Sequence, residues 1–202
     1  MSSASSIDRS SRSRRLGLAL CAAASFVWSV ATLAQPPGPP GEQFKVVTFV
    51  EGLKNPWSMA WLPNGDMLVT ERGGALRIVR NGKLLPDAVA GTPKVRAQGQ
   101  GGLFDVVLHP KYAQNHYIYL SYAKPNEDGK LGTTAVTRAK FENDKLSDIK
   151  EIFVADAWSD TPGHFGARMA FDKDGYLFLS VGDRMEGLRP EGMDPTLSLI
   201  HI

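Results

Sequence analysis

Two stretches decide the fold because they repeat each other: Met59–Thr70 reads MAWLPNGDMLVT, and Met169–Ser180 reads MAFDKDGYLFLS. Each stretch has an apolar run, an Asx-Gly pair and a second apolar run, a pattern typical of a β-hairpin. A looser third copy, Phe104–Leu120, lies between them. If the offset of 110 residues between the first two copies covers two units, each unit has about 55 residues, which suits one four-stranded propeller blade.

The rest of the chain after residue 43 also consists of short apolar runs separated by turn signals. Asn81-Gly82 and Asp128-Gly129 are further Asx-Gly pairs, at which both central residues of a tight hairpin must accept a positive φ. No stretch shows the 3.6-residue apolar period of a helix. Strands are expected at Met67–Thr70, Ala75–Arg80, Tyr117–Tyr122, Ala135–Phe141 and Tyr176–Val181. The sequence predicts an all-β fold; a β-sandwich is the alternative, but the fixed order of inner strand, turn and second strand favours propeller blades.

The length of the chain sets a limit on this propeller. Closing one takes about 4–8 blades, whereas residues 44–202 supply fewer than three units, and the third is expected to stop after its second strand. The sequence therefore predicts the front part of a longer protein, with its propeller domain at 44–202.

The first 34 residues are typical of a secretory signal peptide. Basic residues at 9–15 precede an uncharged apolar run at 16–30, and Ala31–Ala34 then has small residues where a signal peptidase needs them. Residues 35–43 form a linker rich in proline and glycine. We expect cleavage after Ala34, no stable membrane insertion afterwards, and a periplasmic or secreted protein. An uncleaved membrane anchor is the alternative, and the choice between the general and twin-arginine export routes stays open.

Charge and cysteine content exclude several classes of protein. Of 23 basic and 21 acidic side chains, four arginines and one aspartate lie in the leader, so the remainder carries 19 and 20. This balance argues against a nucleic-acid partner. The single cysteine, Cys21, also lies in the leader, which excludes a disulfide scaffold, a thiolate metal site and a cysteine enzyme in the rest of the chain.

Two segments precede inner strands and should meet at one mouth of the channel: Gln98–Leu103 and Gly163–Arg168. Their glycines suit either close approach to a ligand or tight turns between blades. A hairpin turn centred between residues 173 and 174 places His164 opposite Asp183. A carboxylate on one imidazole nitrogen leaves the other free as a general base; alternatively, the pair only ties off a blade edge.

Several motifs then resemble one known family. They are Gly52–Pro63, Thr70–Gly74, Gly99–Val106, His164–Arg168 and Val181–Arg184. In this order they resemble the glucose/sorbosone dehydrogenase family, the soluble aldose sugar dehydrogenases that use pyrroloquinoline quinone (PQQ), from about Phe44 to Asp194. The resemblance implies a six-bladed β-propeller, of which this chain supplies fewer than three blades.

The resemblance also implies roles for three residues. His164 matches the base that takes a proton from the C1 hydroxyl of the sugar while hydride passes to PQQ. Asp183 matches the acid that orients this histidine, and Gln100, like His164, matches a residue that contacts the cofactor. One departure is Gly163, where the family usually has Asn or Asp. The positively charged residues that hold PQQ, and the calcium ligands, are expected beyond this chain, which we therefore expect to be inactive by itself.

Two other functions stay open from the residues alone. A binding propeller without catalysis is one, and a metal-dependent propeller hydrolase such as a lactonase is the other. For the dehydrogenase, the expected partner is a small-molecule sugar, while the downstream electron acceptor, the oligomeric state and the identity of the sugar stay undetermined.

Overall fold

The computed structural model describes residues 45–185 and the strand Ser198–Ile200. The predicted signal peptide (1–34) and linker (35–43) lie outside these residues. Within the described part, the chain forms three antiparallel sheets. The first sheet contains β1 (Pro56–Trp61), β2 (Met67–Glu71), β3 (Leu76–Arg80) and β4 (Lys83–Leu84). The second contains β5 (Leu103–Leu108), β6 (Tyr117–Pro125), β7 (Gly132–Glu142) and β8 (Lys145–Val154). The third contains β9 (Gly166–Phe171), β10 (Leu177–Val181) and β11 (Ser198–Ile200).

In every sheet the strands follow one another in chain order. Each sheet is therefore an antiparallel meander, the architecture of a propeller blade. The single helix found in the described residues is α1 (Tyr112–Asn115), one turn between β5 and β6. These observations confirm the all-β fold and the blade-like units. Among the same residues, no helix has the length and apolar character needed to cross a membrane.

The third sheet contains one strand more than the sequence predicted. β11 pairs antiparallel with β10, with Leu177 opposite Ile200 and Leu179 opposite Ser198. The expectation that this unit stops after its second strand was wrong. The continuous apolar run in β11 is only Leu199–Ile200, too short to predict a strand from the sequence.

The turns also differ from the expectation. Asn81 and Gly82 both have positive φ, at 51° and 71°, as a two-residue hairpin turn requires. In the hairpin between β1 and β2, by contrast, Gly65 has a φ of 87° while Asn64 is not in the positive region. There the Leu62 amide donates to the Asp66 carbonyl at 2.8 Å, which closes a three-residue loop. The repeat at β9–β10 has the same loop, so its register differs by one residue from that of a two-residue turn.

Two apolar clusters join the sheets face to face. Between the first and second sheets, the buried side chains are Leu62, Leu68, Leu76, Ile78, Val89, Leu103, Val106, Ile118, Leu120, Tyr122, Ala135 and Phe141. Between the second and third sheets, they are Tyr119, Val136, Met169, Leu177 and Leu179. Burial of this apolar surface is the main force that holds neighbouring sheets together.

Candidate active site

The hairpin β9–β10 positions the candidate site through an irregular register. Leu177 lies opposite Phe171, not opposite Ala170 as a two-residue turn would place it. A β-bulge between residues 179 and 181 then shifts the pairing by one, so that Val181 lies opposite Gly166. Bulges of this kind re-aim side chains at strand ends. The open end of the hairpin thus has the register predicted from the sequence, although the turn end does not.

At this open end, the structure brings His164 and Asp183 together. Nδ1 of His164 lies 2.7 Å from Oδ1 of Asp183, and the two side chains are 50% and 43% exposed. The same carboxylate oxygen accepts a hydrogen bond from the Met185 amide at 3.0 Å. A carboxylate beside Nδ1 favours the tautomer that carries its proton on Nδ1, and in the neutral imidazole this leaves the Nε2 lone pair available. The pair therefore presents a half-exposed acceptor of fixed tautomer.

The close approach of the two segments next to this pair depends on Gly182. A Cβ atom at this position would lie 2.0 Å from the carbonyl oxygen of His164. His164 itself has a φ of 53°, in the left-handed region that non-glycine residues rarely adopt. Backbone strain of this kind persists where the surroundings impose it, and it is found preferentially at functional sites.

Gln100 joins the pair through the backbone. Its side-chain Oε1 accepts a hydrogen bond from the backbone amide of His164 at 2.9 Å, and the backbone amide of Gln100 donates to the Pro162 carbonyl at 2.7 Å. Its side chain is exposed, so the carboxamide NH₂ is accessible to a ligand. The structure thus places all three predicted site residues in one cluster. The role of Gln100 as a cofactor contact stays a prediction.

The glycines of Gln98–Leu103 have a packing role in the structure. A Cβ at Gly102 would lie 2.0 Å from the Arg72 carbonyl oxygen, which accepts a hydrogen bond from the Leu103 amide at 3.0 Å. The Arg72 guanidinium also donates to the carbonyl of Gly99. The sequence left two interpretations of these glycines open, close approach to a ligand or tight turns between blades. At Gly102 the structure shows tight packing between neighbouring sheets.

Sequence reasoning missed two buried charged residues that connect the segments around the cluster. Arg184 is fully buried beside Phe165, and nothing in the pattern around it distinguishes it from a surface arginine. Asp105 is only 1% exposed and bonds to the inner strands on either side. Its signal was available, because it is a charged residue inside the apolar run Leu103–Leu108.

The cluster lies within a segment that matches a known protein family. The sequence model for the Glucose / Sorbosone dehydrogenase family matches residues 53–199, which include the whole cluster. The chain belongs to the glucose/sorbosone dehydrogenase family. The resemblance found in the motifs is thereby confirmed, and so is the propeller fold, since the structural neighbours of this family member are glucose and aldose sugar dehydrogenases.

Individual relatives support this assignment. Aldose sugar dehydrogenase YliI of Escherichia coli is 44% identical over 145 residues, which cover 70% of this chain and 38% of that protein. The crystal structure of the soluble aldose sugar dehydrogenase from E. coli in the apo-form matches with a TM-score of 0.62 and 44% identity, over 66% of this chain and 39% of that one. The PQQ-bound aldose sugar dehydrogenase from Streptomyces coelicolor matches with a TM-score of 0.59 and 25% identity, over 70% and 42%.

The family member described here is therefore similar to only part of these proteins. It spans about two fifths of the length of each. What the complete relatives do is thus a guide to a proposal for this protein.

Proposed function

We propose that the protein containing this chain oxidises the C1 hydroxyl of aldose sugars with PQQ as hydride acceptor and His164 as general base. The observation that carries the proposal is the contact of 2.7 Å between His164 Nδ1 and Asp183 Oδ1. The PQQ-bound relative from Streptomyces coelicolor supports the choice of cofactor, and the E. coli aldose sugar dehydrogenase supports the choice of substrate.

The proposed chemistry of the chain's own residues is a proton transfer. His164 Nε2 accepts the proton of the C1 hydroxyl, which makes departure of the C1 hydride easier. Asp183 holds the imidazole in the required tautomer and stabilises the imidazolium that forms. The hydrogen bond from the His164 amide to Gln100 holds the backbone in place. Bound PQQ would supply the two-electron acceptor.

The donor set of the site suits one edge of such a cofactor. An accessible imidazole and the carboxamide NH₂ of Gln100 can contact a quinone oxygen or a sugar hydroxyl. The three carboxylates of PQQ need cationic partners, and we propose that these come from residues outside this chain. Calcium is proposed on the family resemblance alone. Among residues 45–185 and 198–200, no group of three or more His, Cys, Asp or Glu side chains could hold a metal ion.

Location and partners follow from the sequence expectations. We propose a periplasmic or secreted enzyme, because residues 1–34 have the layout of a signal peptide. The proposed partner is a small-molecule sugar, with no nucleic acid and no lasting membrane insertion. The near-balanced charge of residues 35–202 supports the exclusion of nucleic acid.

The test measures aldose-dependent dye reduction by the intact protein, reconstituted with PQQ and Ca²⁺. His164→Gln should lower kcat by about 10²–10⁴-fold, the usual contribution of a general base, with an unchanged circular dichroism spectrum. His116→Gln is the matched control, because His116 Nδ1 contacts Glu142 Oε1 at 2.6 Å in a similarly exposed pair elsewhere. Equal activity of the two variants contradicts the proposal.

Two further results would redirect the assignment. A metal-dependent activity that needs no quinone would favour the hydrolase, and sugar binding without turnover would favour the binding propeller. The 202-residue chain by itself is expected to be inactive with PQQ and Ca²⁺, since the cationic partners of the cofactor would be absent. Dye reduction by this chain would disprove that expectation.

A further inference from the structure

Arg184 directly follows Asp183 and is one of the largest fully buried side chains among the described residues, with 0% of its surface exposed. Its Nη2 donates to the Gly132 carbonyl at 3.2 Å and to the Thr161 carbonyl at 3.4 Å. The guanidinium carbon also lies 3.5 Å from the centroid of the Phe165 ring. A buried guanidinium is costly unless such partners compensate its charge, so this position is held by specific contacts.

Further contacts of Arg184 involve residues next to the His164–Asp183 pair. The Arg184 amide donates to the His164 carbonyl at 3.2 Å, and the Thr161 hydroxyl donates to the Arg184 carbonyl at 2.5 Å. Phe165, the ring under the guanidinium, is the next residue after His164. Arg184 thus contacts the segments that carry both members of the pair.

The backbone at this point also needs an external constraint. His164 has a φ of 53° and Arg184 a φ of 61°, and unsupported side-chain-bearing residues avoid this region. The Phe165 ring also contacts Phe104, at a centroid distance of 5.4 Å, and Phe104 in turn contacts Trp57 at 5.5 Å. The guanidinium therefore lies at the end of a row of three rings in contact, from β1, β5 and the residue before β9, which anchors it.

We infer that Arg184 is a positioning residue: its buried guanidinium fixes the separation of His164 and Asp183. This inference rests on the proposed function only for its consequence in catalysis. The geometric consequence, a rigid Nδ1–H···Oδ1 bond, holds whatever the reaction is. Loss of the guanidinium should let the two segments separate, and misplacement by about 1 Å is enough to cost about 100-fold in rate.

The experiment uses the intact protein labelled with ¹⁵N-histidine and, in parallel, the PQQ-loaded enzyme. In the wild type, the proton on His164 Nδ1 should give a downfield NMR signal, assigned by its loss in His164→Gln. Arg184→Met should abolish or broaden this signal and lower kcat about 100-fold, with KM changed less than about threefold. Arg184→Lys keeps the charge but not the planar fork, so it should recover both readouts in part.

Arg77→Met is the control variant. Arg77 is a mostly buried arginine that donates to Glu71 and to the Leu85 carbonyl in the first sheet. Its loss should lower stability but leave the His164 signal and kcat unchanged. A folded Arg184→Met with a sharp wild-type signal and a kcat within threefold would overturn the inference.

The inference is still tested if Arg184→Met does not fold or if the wild type is inactive. If Arg184→Met does not fold, Arg184→Lys decides, because a wild-type signal and kcat in that variant also overturn the inference. If the wild type shows no PQQ-dependent sugar oxidation, the proposed function fails, while the NMR comparison still tests whether Arg184 fixes the pair.

Discussion

Asp105 joins the inner strands of the three sheets, and its removal tests how the described sheets are held in register. Oδ1 accepts hydrogen bonds from the Ser58 hydroxyl of β1 at 2.5 Å and from Arg168 Nη1 of β9 at 3.1 Å. Oδ2 accepts from the Met169 amide of β9 at 2.8 Å. The residue itself lies on β5 and is 1% exposed. One buried carboxylate thus connects three sheets.

The cost of Asp105→Ala follows from the groups it leaves behind. The Met169 amide, on a 4% exposed residue, would lose its acceptor, and a stranded buried donor costs about 1–3 kcal/mol. The hydrogen bond from Ser58 to a charged group contributes about 1.5–3 kcal/mol. The Arg168 side chain is 65% exposed, so its freed guanidinium returns to water and adds little. We expect a loss of about 3–5 kcal/mol in the free energy of unfolding, a large fraction of a typical stability.

The assay is urea unfolding of the intact protein followed by circular dichroism, with m-values checked for two-state behaviour. Ser58→Ala should cost about 1.5–3 kcal/mol by itself but much less when Asp105 is already alanine. Arg168→Ala, the control, should cost less than about 1 kcal/mol. An Asp105→Ala loss below about 1.5 kcal/mol, or equal losses for Asp105→Ala and Arg168→Ala, would refute this account of the carboxylate.

Three further predictions follow from burial. Burial lowers the pKa of His109 below 6.5. The stability that neutral His109 contributes is therefore fully present above pH 6.5 and is lost as the pH drops through the lowered pKa. His109→Gln should thus flatten the fall in melting temperature measured between about pH 7 and about pH 5. Gly182→Ala, whose Cβ would lie 2.0 Å from the His164 carbonyl, should cost about 1–3 kcal/mol in urea unfolding and weaken the histidine NMR signal; a neutral effect contradicts the close approach. Burial, with the hydrogen bond to Glu151, raises the pKa of Tyr122 well above 10, so Tyr122→Phe should leave the tyrosinate absorbance of the folded protein unchanged up to about pH 11; a lower amplitude in this variant would contradict it.

The pairing of His164 with Asp183 shows how far local sequence reasoning reaches. It assumed a two-residue turn, whereas a three-residue loop between Asp172 and Tyr176 offsets the register near the turn. A bulge beyond Leu179 then offsets it again in the compensating direction. The predicted contact is present, but the prediction assumed the wrong turn and did not include the bulge. Bulges depend on packing against the neighbouring sheet, which hairpin counting does not include.

The contacts that cross between sheets could not be predicted from the sequence. Gln100 reaches the His164 amide across 64 positions of the chain, and Asp105 reaches Met169 across 64. No periodicity or spacing encodes such pairings, because they depend on how the sheets stack. Only the presence of a charge inside an apolar strand marked Asp105 as unusual.

The sequence by itself determined the all-β class, the blade-sized repeat and the family, because these rest on local alternation, Asx-Gly turns and motifs that are continuous along the chain. Only the tertiary structure decided which residues hold the site together. The burial of Arg184, its ring partner Phe165 and the bulge that re-aims Asp183 arise when distant segments pack against each other. Local patterns report on faces and turns, whereas the geometry of a site is set by contacts between elements.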